Sequence, residues 1–326
     1  MLHWRWIVAV ALLAGIALSP RFAPAQQVGY FEMDNLFVHR TSGARDFTIM
    51  NKGALLTGSE TVTPSLTTDE LGFSHEYNFR VAAGFECFPG TITEASYWGT
   101  GFWYDDAPRT STDFDLSAAL DSTIVLSTLG FNNADYATAT YTSRLHNAEL
   151  NQMWNHSENF RVLLGMRYVN LYESFDLWMG QTGATPGTYH VRTDNNMLGF
   201  QVGGIYDLPA TDRLSFHLIG KTGMLFNMMN RSGSMTDTVT LLLPSDDEFR
   251  ATDTQPAFIA ELGVQMRYQL GRYLWMRLGA QVMVLTETAL AVNQFDRGGA
   301  ATPVGVFHHE GTPVYDGAFF GFEYIP

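Results

Sequence analysis

The chain has 326 residues, a formal net charge of −14, 16% charged residues and 13% aromatic ones. An acidic balance argues against nucleic-acid binding, which needs a basic face. The sole cysteine, Cys87, excludes an intrachain disulfide and suits a small apolar strand position.

Met1 to Ala25 reads as a targeting segment. Arg5 precedes an apolar run from Ile7 to Leu18, followed by Pro20 and an Ala23-Pro24-Ala25 cleavage site. The run is shorter than the roughly 20 residues a membrane helix needs. A cleaved signal peptide is therefore expected, with the mature domain at 26–326. Cleavage would remove two arginines and no acids, leaving 17 basic and 33 acidic residues, a net of −16. No later stretch is long and apolar enough for a membrane helix.

Strands follow, because apolar and polar residues alternate with period two. The first covers about Val28 to Val38, with Phe31, Met33 and Phe37 on one face and Glu32, Asp34 and Leu36 on the other. A polar stretch from Thr41 to Leu71 separates it from the second, Gly72 to Cys87, which turns at Pro89-Gly90 into the third, Thr91 to Tyr104. The acidic segment from Asp105 to Ala134 is predicted as a loop with a short helix near Ala118. Strands four and five form a hairpin within Tyr141–Trp178. Strand six ends near Tyr206. Strand seven puts Leu214, Phe216 and Leu218 opposite Arg213, Ser215 and His217. Strand eight alternates Ala260, Leu262, Val264 and Met266 with Glu261, Gly263, Gln265 and Arg267. Strand nine alternates Met276 and Leu278 with Arg277 and Gly279, and strand ten sets Phe320, Phe322 and Tyr324 against Gly321 and Glu323.

The count is about ten strands (eight to twelve), and the connections alternate short and long. The fold class expected is all-β: a closed antiparallel transmembrane barrel, apolar outside and polar inside, with short periplasmic turns and long external loops. The expected location is the outer membrane. Trp98, Trp103, Tyr168 and Tyr268 are predicted to lie in the aromatic girdles at the lipid interfaces.

Four blocks resemble the beta-barrel porin-7 family of planctomycete-type outer-membrane proteins. They are YTSRLHNAELN with FRVLLGMRYVNLYESFDL at 141–177, TDNNMLGFQVGGIYDL with KTGMLFN at 193–227, PAFIAELGVQMRYQL with LWMRLGAQVMVL at 256–285, and YDGAFFGFEY at 315–324. GYFEMDNLF at 29–37 is a weaker match. The resemblance implies an outer-membrane barrel of porin type and supplies no catalytic residues.

The inward faces carry Glu32, Arg80, Glu86, Glu94, Glu149 and Arg161, then Arg167, Lys221, Glu261, Arg267, Arg277 and Glu323. Acids and bases balance. A ten-stranded barrel has a narrow interior, and an isolated buried charge is costly, so a polar network is expected in the lumen. It would either fill the lumen or line a conduction path. The long segments 41–71, 105–134, 230–254 and 291–312 hold 16 acids and 6 bases. An acidic outer rim is expected, with Asp105, Asp106, Asp246, Asp247 and Glu248 as its densest groups. No spacing matches a calcium loop, and no metal or cofactor is expected.

Porin-like passive diffusion of small solutes or ions, with some cation preference, is the function expected first. A closed structural barrel for surface contact, with a salt-bridged lumen, is the alternative. The expected partners are outer-membrane lipid, the outer-membrane assembly machinery and small solutes or ions. The chain is expected not to be an enzyme. It has no G-x-S-x-G, no phosphate loop and no H-E-x-x-H, and no nucleophile–base pair is evident. A rim hydrolase built from His308, His309 and Glu310 beside Asp105 is the remaining catalytic arrangement.

Overall fold

In hydrocarbon a strand has no water to satisfy its backbone, so it needs a neighbour on both sides. A computed structural model of the chain meets that demand with a closed ring. It describes residues 29–53, 63–119, 131–236, 246–295 and 307–326; the expected signal peptide lies outside them. The strands are β1 (Gly29–Arg40), β2 (Thr48–Lys52), β3 (Thr63–Thr67), β4 (Glu76–Phe88), β5 (Thr91–Trp98), β6 (Phe102–Thr110) and β7 (Leu116–Ala118). Then come β8 (Tyr136–Ser157), β9 (Phe160–Gly180), β10 (Gly187–Thr211), β11 (Leu214–Thr236), β12 (Asp246–Gln269), β13 (Leu274–Leu285) and β14 (Val314–Tyr324). Around the ring the order is β5, β4, β1, β14, β13, β12, β11, β10, β9 and β8, and a β5–β8 ladder closes it. All ladders are antiparallel. β6 continues β5 along the same edge of β8, so eleven strands fill ten positions.

The join between β5 and β6 is a bulge. Trp98 pairs with Asn147 and Phe102 with Arg144, so Gly99, Thr100 and Gly101 face only Leu145 and His146. Gly99 has φ +141°, and a Cβ there would stand 2.4 Å from the Leu145 carbonyl oxygen, so glycine is required.

The outward face changes character along each long strand. On β10 it reads Leu198, Phe200, Val202, Tyr206 and Leu208 toward the short turns, and Thr188, His190, Arg192, Asp194 and Asn196 toward the long loops. On β9 Val162, Leu164 and Met166 give way to Asn170, Ser174 and Asp176; on β11 Met224, Phe226 and Met228 give way to Asn230 and Ser232. The apolar stretch matches the roughly 9–11 residues of a membrane-crossing strand. β10 has 25 residues, so its outer half stands clear of the lipid. The inward face inverts in step. Beside the lipid it holds Arg167, Gln201 and Glu261; above, it holds Ala139, Tyr141, Leu171, Phe175, Leu177 and Val191, all buried. The barrel is polar-cored in the membrane and oil-cored outside it.

Several sequence expectations are corrected. The helix near Ala118 is strand β7, because Leu116, Ser117 and Ala118 pair with Lys52, Asn51 and Met50 in a small second sheet ordered β3, β2, β7. The segment after Tyr104 is not all loop: β6 runs to Thr110. The loop expected from 230 to 254 is shorter, with β11 reaching Thr236 and β12 starting at Asp246. Trp98 and Trp103 are not girdle residues. Both point inward, 3% and 0% exposed, since the extended barrel offers them an apolar core. Tyr268 does lie outward at the inner end of β12, 39% exposed.

The belt makes a position-dependent prediction. Phe200→Arg, at an outward site 67% exposed in the belt, should cost about 2–4 kcal/mol of folding stability in vesicles. Ser232→Arg, outward but above the belt, should cost less than about 0.5 kcal/mol. Denaturant unfolding of both in the same lipid checks the assignment, and equal costs would refute it.

Candidate functional site

Strand alternation brings the inward charges onto facing walls of a narrow tube, where each must find a partner. In the middle of the membrane half Arg167 is 1% exposed. Its Nε donates to Asn147 Oδ1 (2.7 Å), one Nη reaches Gln201 Oε1 (3.3 Å), and the other lies 2.8 Å from Glu261 and 3.5 Å from Glu149. The same nitrogen is 3.0 Å from Met283 Sδ on β13, so the side chain crosses the lumen. Lys221 completes a neutral quartet, 2.9 Å from Glu149 and 3.5 Å from Glu261. A second group joins Arg277 to Glu32 (2.5 Å) and Asp34 (3.1 Å), with Arg80 on Asp34 at 2.7 Å and on Gln281 at 2.8 Å. Arg267 pairs with Glu323 at 2.7 Å. Arg161 grips Asp207 with two hydrogen bonds, 3.1 and 2.9 Å.

The remaining inward acids serve locally. Glu94 accepts from the Tyr30 hydroxyl and from Asn151 (3.4 Å). Glu86 accepts from Gly90 N at 2.6 Å and so fastens the Pro89-Gly90 turn. Between the quartet and the short-turn end lies a cavity of about 250 Å³, bordered by Glu32, Arg161, His217, Lys221, Arg267 and Ile325 among others. Phe319, which lines it, packs closely over Gly279, where a Cβ would come within 2.4 Å of the ring.

The outer half is filled. Trp103 donates from its indole to Val38 O (3.1 Å), and its ring packs edge-on against Tyr315. The segment from Thr286 to Phe295, which leaves β13, folds down into the mouth. Asn195 holds it by donating to Ala289 O (2.9 Å) and accepting from Ala289 N (2.7 Å), and Asn227 donates to Glu287 O (2.9 Å). Phe295 sits against Phe47, Phe175 and Tyr189. Across this core Arg40 of β1 forms an ion pair with Glu173 of β9, both side chains 0% exposed. Glu173 also accepts from Tyr141 OH (2.7 Å) and from Ala291 N (2.9 Å), which ties strap, strand and ion pair together.

The expected acidic rim is divided. Asp105 points inward, accepts from Gly72 N at 3.0 Å, and is held above the usual carboxylate range by partial burial. Asp106 faces out. Asp246, Asp247 and Glu248 lie on the outer end of β12, paired with Thr236, Met235 and Ser234; their side chains fall outside the described residues. The proposed rim constellation is not assembled as expected. Asp105 serves Gly72, Glu310 pairs with Arg45, and His309 lies 2.9 Å from Glu287.

Sequence reasoning missed Arg40, Glu173 and Asp207 as network members, and it placed Asp34 on the inward face without assigning it a role. Each sits on an inward position, so alternation alone could have found them. Ser215 was also passed over. Its Oγ lies 3.1 Å from His217 Nε2, and His217 Nδ1 is hydrogen-bonded to Asp207. The visible signal was S-x-H on an inward strand face.

No family model matches the chain, and neither does any curated protein. Solved structures do. The outer-membrane protease OmpT of Escherichia coli is 11% identical with a TM-score of 0.45, over 95% of this chain and 99% of that one. The translocator domain of the autotransporter NalP of Neisseria meningitidis is 9% identical (TM-score 0.40, 99% of this chain and 95% of that one). A Pseudomonas aeruginosa FadL homologue is 9% identical (TM-score 0.32, 92% and 90%). These are outer-membrane proteins, and the likeness concerns fold alone. The first overturns one expectation: an outer-membrane barrel can be a protease, so the reading that the chain is not an enzyme is withdrawn. At 11% identity no activity is transferred.

The Arg40–Glu173 pair should behave as a buried salt bridge. Glu173→Gln strands a buried guanidinium and should cost about 3–5 kcal/mol, whereas Arg40→Met combined with Glu173→Gln should recover most of that loss. A double-mutant cycle by urea unfolding would show additive losses if the pair were solvated.

Proposed function

We propose that this outer-membrane barrel is closed at its outer end and serves as a rigid platform for contact at the cell surface. One observation carries the reading: above the lipid the lumen is packed with apolar side chains and the 286–295 strap, pinned by Asn195, Asn227 and Glu173. A packed core of this kind leaves few voids larger than a water molecule. Building such a core outside the membrane orders the strand ends. Lipid surrounds the belt, and the assembly machinery delivers the chain to it.

Porin-like passive diffusion, expected first from the sequence, is supported by the inner cavity and opposed by the filled outer half. The porin-7 resemblance supports an outer-membrane barrel under either reading. On the closed reading small solutes and ions reach the charged cavity from the short-turn side and go no further.

Planar-bilayer recordings distinguish the two. The refolded protein, with folding verified by heat-modifiable gel mobility, should give no discrete conductance steps. Reproducible, cation-preferring steps from the folded protein would replace the closed platform with a pore.

A further inference from the structure

The inner mouth holds an arrangement that the closed-platform reading neither uses nor requires. Ser215 and His217 are two apart on β11, so they share the inward face. Asp207 is the register partner of His217 on β10, and Arg267 is the register partner of Ser215 on β12. Directly opposed residues have Cβ atoms about 4.5–5.5 Å apart. His217 and Arg267 border the cavity, and Asp207 and Ser215 are their register partners.

Their order has chemical meaning. Asp207 engages Nδ1 of His217, and Ser215 Oγ stands 3.1 Å from Nε2. A carboxylate on Nδ1 fixes the proton there and leaves Nε2 as the acceptor facing the hydroxyl. A chance i, i+2 contact would not need the carboxylate. Here the carboxylate is itself fixed by both nitrogens of the Arg161 fork, and His217 is 5% exposed. Arg267 Nε has no hydrogen-bond partner among the described residues. It is a donor available to charge developing next to Ser215.

We infer that Ser215, His217 and Asp207 form a serine acyl-transfer site at the inner mouth, acting on small uncharged carboxylic esters. The substrate class follows from the cavity. About 250 Å³ admits a short acyl group, and Ile205, Ile219 and Leu163 give it apolar walls. The five acids on the walls are matched by five lysine and arginine residues, so the site does not select a net charge.

Ser215 Oγ bonds to the ester carbonyl carbon as its proton passes to His217 Nε2, and the carbonyl electrons move onto oxygen beside Arg267. Collapse breaks the carbon–alkoxy bond, and the alcohol leaves with the proton from Nε2. Water then adds to the acyl carbon, giving its proton to Nε2. The carbon–Oγ bond breaks, Ser215 regains a proton, and the carboxylic acid departs. Ser215 and His217 are the catalytic residues. Asp207 and Arg161 position the imidazole.

The full folded chain in detergent micelles should be treated with a fluorophosphonate probe and assayed on p-nitrophenyl butyrate. One label is expected, on Ser215 by peptide mass, and Ser215→Ala should abolish both label and turnover. Asp207→Asn should lower the rate by about 10⁴-fold, the loss typical of a misoriented histidine. Ser232→Ala, far above the lipid, should label normally. Ser215→Ala alters a half-buried hydroxyl and should fold, as heat-modifiable mobility would show. A folded native protein that takes no label and hydrolyses no faster than Ser215→Ala would overturn the assignment, as would a label that persists in folded His217→Gln.

Discussion

Everything in this molecule follows from one constraint: inside a bilayer no backbone amide or carbonyl can be left to solvent. A sheet edge in hydrocarbon is untenable, so the sheet must close. The closing contact is the β5–β8 ladder, eight register pairs from Thr91↔Trp154 to Trp98↔Asn147. Closure fixes the two faces of every strand. It also explains why the bulge at Gly99 is tolerated. By then β5 has crossed the belt, and side chains satisfy the disturbed ladder: Gly101 N donates to Asn78 Oδ1 (2.7 Å) and Phe79 N to Thr100 Oγ1 (3.0 Å).

Closure also creates a second solvent problem, because the side chains inside have only one another. In the membrane half the solution is electrostatic neutrality at short range. Arg167, Lys221, Glu149 and Glu261 neutralise one another across the lumen, and Arg277, Arg80, Glu32 and Asp34 do so at the opposite wall. Removing one member leaves its buried partner without a counter-charge. Above the lipid the problem reverses. The outside is wet, so polar residues move outward and the interior becomes an oil core crossed by the Arg40–Glu173 ion pair. The inversion is abrupt because lipid ends abruptly.

The two ends of the barrel are therefore different objects. The outer end is a small packed domain built from strand extensions, a strap and the β3-β2-β7 sheet. The inner end is a charged cavity bordered by His217, which is hydrogen-bonded in turn to Ser215 and Asp207. A closed outer end and a reactive inner mouth are compatible, since a site reached from the short-turn side needs no through-passage.

The ten ring strands, their faces and their short turns were legible in the sequence because alternation is a local property. Val162, Leu164 and Met166 against Arg161, Gly165 and Arg167 declare a lipid face and a lumen face without knowledge of any neighbour. The inward charges were legible for the same reason. Their pairing was not: Arg167 meets Met283, and Arg40 meets Glu173, through ring closure over 116 and 133 residues of sequence. The buried positions of Trp98 and Trp103, the strand at Leu116–Ala118, and the strap through the mouth were also decided in three dimensions. Each depends on an apolar core that exists only once the strand ends are brought together above the membrane. Sequence alone determined which residues face lipid and which face inward. Only the closed ring decided which of those inward residues touch, because contact across a lumen is set by register summed around the whole barrel.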